Sequence, residues 1–178
     1  MFTSLDYLKN GTRKQQQAFE CLQGLCIMEN LVSYQPTLCG TIPLNIDIED
    51  SDLDIIVEVN DLQEFSILVS QLYRHKPDFQ LKKEQVRKTP AVTCSFAHKG
   101  FIIEIFAQNQ PVTHQNAYRH MVIEHEILKE QPDIRNKIIE LKRQGLKTEP
   151  AFCLLLGLDG DPYEELLQYG KHRKIIPF

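Results

Sequence analysis

Two closely spaced aspartates, Asp52 and Asp54, are the residues of this sequence best suited to chemistry. They precede the apolar run Ile55-Ile56-Val57, which favours a strand. Residues two apart on a strand point the same way, with about 7 Å between their Cα atoms. Both carboxylates would therefore face one side of an apolar strand, where negative charge is costly unless a cation or partner neutralises it. The pattern indicates a divalent metal site.

A third carboxylate, Glu104, interrupts the apolar run at 101–106. An acidic residue in such a run is rarely buried without a partner. The partner is either a metal ion shared with Asp52 and Asp54, or a cationic side chain such as Arg119 or Lys82. We predict the metal role, because carboxylate oxygens are the ligands that Mg²⁺ prefers.

A turn with the residues needed to bind a phosphate group precedes the two aspartates. Gly40 and Thr41 are followed by ten residues and then Asp52. Glycine lets the backbone approach a phosphate closely, and Thr41 offers a hydroxyl and an N–H. Three carboxylates beside such a turn suit phosphoryl transfer with two Mg²⁺ ions about 3.5–4 Å apart, one activating the attacking oxygen and one holding a triphosphate. Mn²⁺ is an alternative metal.

The elements that position these residues are strands separated by helices. Apolar and alternating runs predict extended segments at 32–41, 52–59, 79–86, 91–97 and 101–108. The last two are joined by His98-Lys99-Gly100, with glycine where a hairpin turn needs positive φ. Helical spacing of apolar residues predicts helices at 13–29 and 62–73.

The chain after residue 110 is predicted to be helical. Helices are expected at 113–128, 132–145, 149–156 and from Pro162 onward, with Thr148 and Asp161 as caps. The inner side of the first is assigned to Ala117, Met121, Val122, His125 and Leu128. We therefore predict an α/β (α+β) fold, a mixed sheet flanked by helices, with a catalytic core at 1–110 and a helical region at 111–178 packed on it.

Composition and charge bear on the partners and the cellular location of the protein. The chain has 178 residues and a net charge of -4, which gives no electrostatic indication of strong binding to duplex nucleic acid. Its five cysteines are scattered and form no C-x-x-C pair, which is typical of reduced thiols. No apolar run approaches the length of a membrane span. We expect a cytoplasmic protein that is not associated with a membrane.

The residues from Cys39 to Ile55 resemble the signature of the polymerase-β-like nucleotidyltransferase superfamily, in which a glycine turn, about ten residues and Asp-hydrophobic-Asp follow one another. Glu104 between two isoleucines matches the third acid of that superfamily. The segment 40–54, together with 117–121 and 156–163, more closely resembles the DUF4269 domain, a small bacterial family grouped with nucleotidyltransferases. That resemblance implies a nucleotidyltransferase-like fold.

The resemblance implies transfer of a nucleoside monophosphate from an NTP to an acceptor. Asp52, Asp54 and Glu104 would bind the metals and carry catalysis. Gly40, Thr41, Ser51 and Arg119 are the residues assigned to nucleotide binding, although Arg119 is equally compatible with a solvated surface position. The acceptor remains open between a small molecule, an RNA end and a protein. The alternative function is a non-catalytic nucleotide-binding module or an antitoxin-like interaction module with the same fold.

Overall fold

Five strands form one mixed sheet in the computed structural model, which describes residue 2 and residues 4–177. The strands are β1 (Thr37–Cys39), β2 (Leu53–Glu58), β3 (Gln80–Val86), β4 (Thr89–His98) and β5 (Phe101–Gln108). Their order across the sheet is β1-β2-β5-β4-β3. Only β2 and β5 are parallel, and the other neighbouring pairs are antiparallel.

Helices cover both faces of this sheet. Those before or between the strands are α1 (Asp6–Lys9), α2 (Arg13–Gly24), α3 (Ile27–Asn30) and α4 (Leu62–Tyr73). Those after the last strand are α5 (Asn116–Glu130), α6 (Ile134–Arg143), α7 (Thr148–Leu156) and α8 (Pro162–His172). Short 3₁₀ helices occur at Val32–Tyr34 and Val112–His114. The predicted mixed sheet flanked by helices, with further helices at the C-terminal end, is confirmed.

The sheet separates two apolar cores because strand side chains alternate between its faces. Leu53, Ile55 and Val57 of β2 are fully buried on the face covered by α2 and α4. Ile56 lies on the opposite face, in a core built with α5, α6, α7 and α8. Asp54 shares the face of Ile56 by the same alternation, so its carboxylate points toward the C-terminal helices.

Several local predictions differ from the structure. The helix expected at 13–29 is interrupted, because Cys26 adopts a left-handed conformation (φ 49°) between α2 and α3. Thr148 is the first residue of α7 and does not cap it; Lys147 precedes the helix without a capping side-chain bond. Val32–Tyr34 forms a 3₁₀ turn where the sequence indicates an extended segment. Asp61 and Asp161, in contrast, cap α4 and α8 through side-chain hydrogen bonds.

The helices were also compared in length and polarity with a membrane-spanning helix. Among residues 2 and 4–177, no helix is long and apolar enough to cross a membrane.

Candidate functional site

A cleft of about 1210 Å³ lies between the sheet face that carries Asp54 and the C-terminal helices. Its walls come from the loop after β1, the start of β2, the middle of β5, and helices α5, α6, α7 and α8. All seven candidate site residues of the sequence line this cleft: Gly40, Thr41, Ser51, Asp52, Asp54, Glu104 and Arg119.

Asp54 and Glu104 are brought together by the pairing of β2 with β5. They are direct partners in the parallel register of these strands, although fifty residues separate them in the sequence. Asp52 is exposed and precedes the first residue of β2, so it lies at the end of a loop and the strand begins one residue later than predicted. The carboxylates therefore stand on two central strands and on the loop that leads into one of them.

Burial and mutual repulsion raise the pKa values of Asp54 and Glu104. Burial, and then the charges of Asp52 and Glu104, raise the pKa of Asp54 to about 7. The pKa of Glu104 is also raised, first by burial and then by the charge of Asp52. Glu104 makes no ion pair with Arg119 or Lys82, although the charge of Lys82 is close enough to oppose the rise in its pKa.

The fit of these residues to a divalent cation is partial. Their oxygen donors and the strand register of Asp54 with Glu104 suit Mg²⁺, and the raised pKa values of Asp54 and Glu104 reflect burial first and then the charges of neighbouring acids. Within the described part of the chain, however, no three His, Cys, Asp or Glu side chains are already gathered as a metal site. The negative charges of Asp52, Asp54 and Glu104 repel one another, which keeps the three carboxylates from gathering.

The turn after β1 is packed closely against Asp54. Gly40 has φ +81°, and a Cβ atom added there would overlap the Asp54 Oδ2 atom. Only glycine satisfies both the backbone conformation and this close approach. Thr41 follows on the cleft wall, where its Oγ1 donates to Ser51 Oγ at 3.3 Å. Ser51 Oγ also accepts from the Ile48 N–H at 2.9 Å, so Ser51 fastens the acidic loop at 47–50 to the glycine turn.

Basic side chains of α6 donate hydrogen bonds to carbonyl groups of the same loop. Lys142 of α6 donates from Nζ to the Ile46 carbonyl at 2.8 Å. Arg135, about two turns earlier on α6, donates to the carbonyls of Leu44 and Asn45, the latter at 3.2 Å. The loop between β1 and β2 is thus tied to α6 by its carbonyl groups.

Four cleft residues with unusual environments were not among the predicted site residues: His120, Glu124, Lys142 and Glu149. The Nδ1 atom of His120 lies 3.3 Å from Glu149 Oε1, and its Nε2 donates to the Tyr163 carbonyl at 2.9 Å. Burial lowers the pKa of Lys142 to about 8. Burial would raise the pKa of Glu149, but the hydrogen bond with His120 holds it below its usual value.

Glu124 is the most buried of these acids. Only 3% of it is exposed, and burial followed by the charge of Glu149 raises its pKa well above the usual range. The sequence carried one signal for it: Glu124 follows Met121 by three residues and precedes Leu128 by four, so it falls within the apolar stripe of α5. The predicted inner side of this helix included His125 and Ala117, of which Ala117 is exposed.

Comparison with solved structures identifies relatives of the fold. A chain of Cid1 poly(U) polymerase with MgGTP bound superposes with a TM-score of 0.55 at 13% identity, covering 78% of this chain and 46% of the polymerase. The GLD-2/RNP-8 complex gives 0.55 at 16%, covering 85% and 60%. The polymerase core of TRAMP, an RNA surveillance complex, gives 0.54 at 12%, covering 91% and 50%. The alignments thus span 46–60% of these neighbours' own length, and at such identities the likeness shows the fold alone.

Comparison of sequences finds a match to a family model but none to a curated protein. No curated protein matches the chain. The sequence model of the DUF4269 family, described as a domain of unknown function, matches residues 20–169. That match covers most of the chain and includes both strands that carry the paired acids. The protein therefore belongs to the DUF4269 family and has the fold of the polymerase-β-like nucleotidyltransferases.

Proposed function

We propose that the protein is a metal-dependent nucleotidyltransferase that transfers a nucleoside monophosphate from an NTP to an acceptor and releases pyrophosphate. The observation that carries the proposal is the direct pairing of Asp54 with Glu104 in the floor of the cleft, beside the Gly40 turn. The likeness in fold to a poly(U) polymerase with MgGTP bound supports it.

The carboxylates would hold the metal. Asp52, Asp54 and Glu104 would be the ligands, and bound Mg²⁺ would supply charge stabilisation to the triphosphate and to the attacking oxygen. Glu104 would also take the proton of the acceptor hydroxyl. The acceptor oxygen forms a bond to the α-phosphorus, the bond from that phosphorus to the bridging oxygen breaks, and pyrophosphate leaves.

The opposite wall of the cleft would receive the triphosphate. Arg119 is partly buried there and has no ion-pair partner among the described residues, which leaves its guanidinium available to phosphate oxygens. Further cations line the same wall on α6, the loop after it and α8: Lys142, Arg143, Lys147 and Lys171. Acids on the sheet and cations on the helices suit a ligand with metal-bound phosphates between them.

The test is Mg²⁺-dependent NTP binding together with pyrophosphate release against a panel of small molecules, RNA ends and proteins. The double variant Asp52→Asn/Asp54→Asn is expected to lose Mg²⁺-dependent binding and turnover by at least about 100-fold. The matched control Glu58→Gln/Asp78→Asn removes two carboxylates that do not line the cleft and should behave as the wild type.

The outcomes separate the candidate functions. Binding that persists unchanged in Asp52→Asn/Asp54→Asn and without Mg²⁺ would contradict the metal site. Mg²⁺-dependent binding without turnover on any acceptor of the panel would favour the non-catalytic module. A protein that co-purifies stably and is itself modified would identify the acceptor as a partner protein.

A further inference from the structure

The loop between β1 and β2 is held by α2 as well as by α6. Gln15 of α2 donates from Nε2 to the Ile42 carbonyl at 2.8 Å. Lys14, in the same first turn of α2, donates from Nζ to the carbonyls of Ile48 and Glu49, the latter at 3.1 Å. Neither Lys14 nor Gln15 lines the cleft. The first turn of α2 therefore contacts the loop near both of its ends without forming part of the proposed site.

Local hydrogen bonds fix this first turn of α2. The Thr12 side chain accepts from the Gln15 N–H, and the Gln15 Oε1 atom accepts from the Thr12 N–H at 2.9 Å. This reciprocal arrangement is a capping box, which holds the start of a helix in one conformation. Gln15 is 7% exposed, so its amide has little freedom. The donors that α2 offers to the loop are thus fixed in place by the helix itself.

A short series of hydrogen bonds connects Lys14 with the proposed site. The Ile48 carbonyl that accepts from Lys14 also accepts from the Ser51 N–H at 3.1 Å. The Ile48 N–H in turn donates to Ser51 Oγ. Ser51 precedes Asp52 in the sequence and is hydrogen-bonded to Thr41 through its hydroxyl. A shift of the Ile48 carbonyl would therefore move Ser51, and with it both Asp52 and the contact to Thr41.

The charge of the segment 47–52 makes such support necessary. This segment carries four carboxylates within six residues, and like charges so close together repel one another. Lys14 Nζ lies 3.8 Å from Asp47 Oδ2, and its side chain is only 22% exposed. Hydrogen bonds from a charged donor are stronger than those between neutral groups. Lys14 thus both offsets the repulsion and holds the backbone of the segment.

We propose that Lys14 is a positioning residue for the site, which fixes the segment 47–52 so that Asp52 can bind a metal ion together with Asp54 and Glu104. The role of Asp52 as a metal ligand rests on the proposed nucleotidyltransferase function. The ordering of the segment by Lys14 does not.

Charge and positioning predict opposite effects of Lys14 on Mg²⁺. Removing a cation from an acidic segment makes the segment more negative, so charge alone predicts tighter binding of Mg²⁺. If Lys14 acts by fixing the position of Asp52, its removal leaves the carboxylates less well arranged and weakens Mg²⁺ binding. The direction of the change in a variant without the Lys14 charge therefore separates the two effects.

The test compares Lys14→Met with the wild type, Lys14→Arg and Lys129→Met, all as the full chain. Methionine keeps an apolar stem and removes the charge and the donors, whereas arginine retains both. Lys129 is 56% exposed and pairs with Glu126 of its own helix, so Lys129→Met is a control with the same change in net charge. Lys14→Gln, which is too short to reach the loop, is a second variant in case Lys14→Met does not fold.

Two properties are measured. Hydrogen exchange of the amides at 47–52, with a chelator present, is expected to become at least about ten-fold faster in Lys14→Met. The Mg²⁺ concentration for half-maximal binding of a non-hydrolysable NTP analogue should rise about five-fold, and saturating Mg²⁺ should restore the affinity for the analogue to within about two-fold of the wild type. Lys14→Arg and Lys129→Met should match the wild type in both properties.

The outcomes separate this inference from the proposed function. Unchanged exchange at 47–52 in Lys14→Met overturns it, whatever the NTP data show. Faster exchange with an unchanged or lower Mg²⁺ requirement overturns it as well, because charge and not positioning would then dominate. Faster exchange in Lys14→Met, together with a wild type that binds the analogue equally with and without Mg²⁺, supports the ordering of the segment by Lys14 and contradicts the metal-dependent function.

Discussion

Gly40 and Asp54 constrain each other, and this pair links the conformation of a turn to the chemistry of the site. Asp54 occupies the space that a Cβ atom at position 40 would need, and Gly40 has a positive φ. Thr41 and the acidic loop follow from that turn and line the same cleft. The residue at position 40 thus affects both the backbone near the proposed phosphate site and the carboxylate beside it.

Gly40→Ala is expected to destabilise the protein more than Gly100→Ala. Both glycines have φ +81°, but a Cβ at position 100 meets nothing within 4 Å. The backbone strain should cost about 1 kcal/mol in both variants, and the overlap with Asp54 should add at least about 1 kcal/mol at position 40. Urea unfolding measures both free energies of unfolding. Equal losses would show that Asp54 does not restrict position 40.

Asp54→Asn is expected to stabilise the metal-free protein in a pH-dependent way. The pKa of Asp54 is raised from 3.8 to about 7, so the folded chain binds more protons than the unfolded chain between these values, and the wild type loses stability as pH rises through that range. The shift corresponds to at most about 4 kcal/mol. Solvent in the open cleft screens the charges, and we expect a gain of about 1–2 kcal/mol.

The measurement is urea unfolding at pH 5, 6, 7 and 8 in the presence of a chelator. The advantage of Asp54→Asn over the wild type should grow up to about pH 7 and then level off. Glu58→Gln removes a carboxylate from the same strand and the same face, outside the cleft. A gain of similar size and pH dependence in that variant would contradict the assignment to Asp54.

At the scale of elements, α6 organises the loop between β1 and β2. Arg135 and Lys142 both donate hydrogen bonds to loop carbonyls, and Arg143 forms an ion pair with Glu49 at 2.7 Å. The carbonyls face the helix, so the other side of the loop is presented to the cleft. The order of this loop, which carries Ser51 and ends at Asp52, therefore depends on a helix more than eighty residues later in the chain.

Arg135→Gln should loosen this loop and weaken NTP binding by about three- to ten-fold, since it removes charged hydrogen bonds to two carbonyl groups. Hydrogen exchange of residues 41–51 should become faster. Lys137→Gln changes an exposed cation on the same helix and should alter neither property. Unchanged exchange in Arg135→Gln, with or without weaker binding, would contradict the role of α6 in ordering the loop.

The elements that could be predicted from the sequence are those set by local signals. The hairpin of β4 and β5 follows from two apolar runs around Gly100, and the start of α8 follows from Asp161 and Pro162. The parallel pairing of β2 with β5 depends on contacts between distant segments, so periodicity did not reveal it. The break at Cys26 was missed because the apolar spacing continues through it.

Some residues of the candidate site could likewise be predicted from the sequence, and others could not. The carboxylates Asp52, Asp54 and Glu104 were found because a charge within an apolar strand is conspicuous. Glu124, Glu149 and Lys142 were not, because charged residues on helices are ordinarily solvated. Their burial depends on how α5, α6 and α7 pack together, which the sequence pattern does not specify.

At the scale of the whole molecule, one sheet supports both apolar cores. The core with α2 and α4 and the core with the C-terminal helices lie on opposite faces of β2 and β5. Cys39 and Ile46, from the N-terminal half, are buried in the second core. Removing the helices after residue 110 would therefore expose apolar residues of the sheet, and we expect the division at that residue to be one of function more than of folding.

The matched variants Phe65→Leu and Phe152→Leu test this expectation. Phe65 of α4 and Phe152 of α7 are both fully buried, one in each core. Each substitution should lower the free energy of unfolding by about 1 kcal/mol, and the double variant should lose about the sum because the sites are in separate cores. All variants should unfold in one transition, coincident by far-UV and near-UV circular dichroism. Earlier loss of α7 in Phe152→Leu, with amides of β4 and β5 still protected from exchange, would instead show that the C-terminal helices unfold as an independent unit.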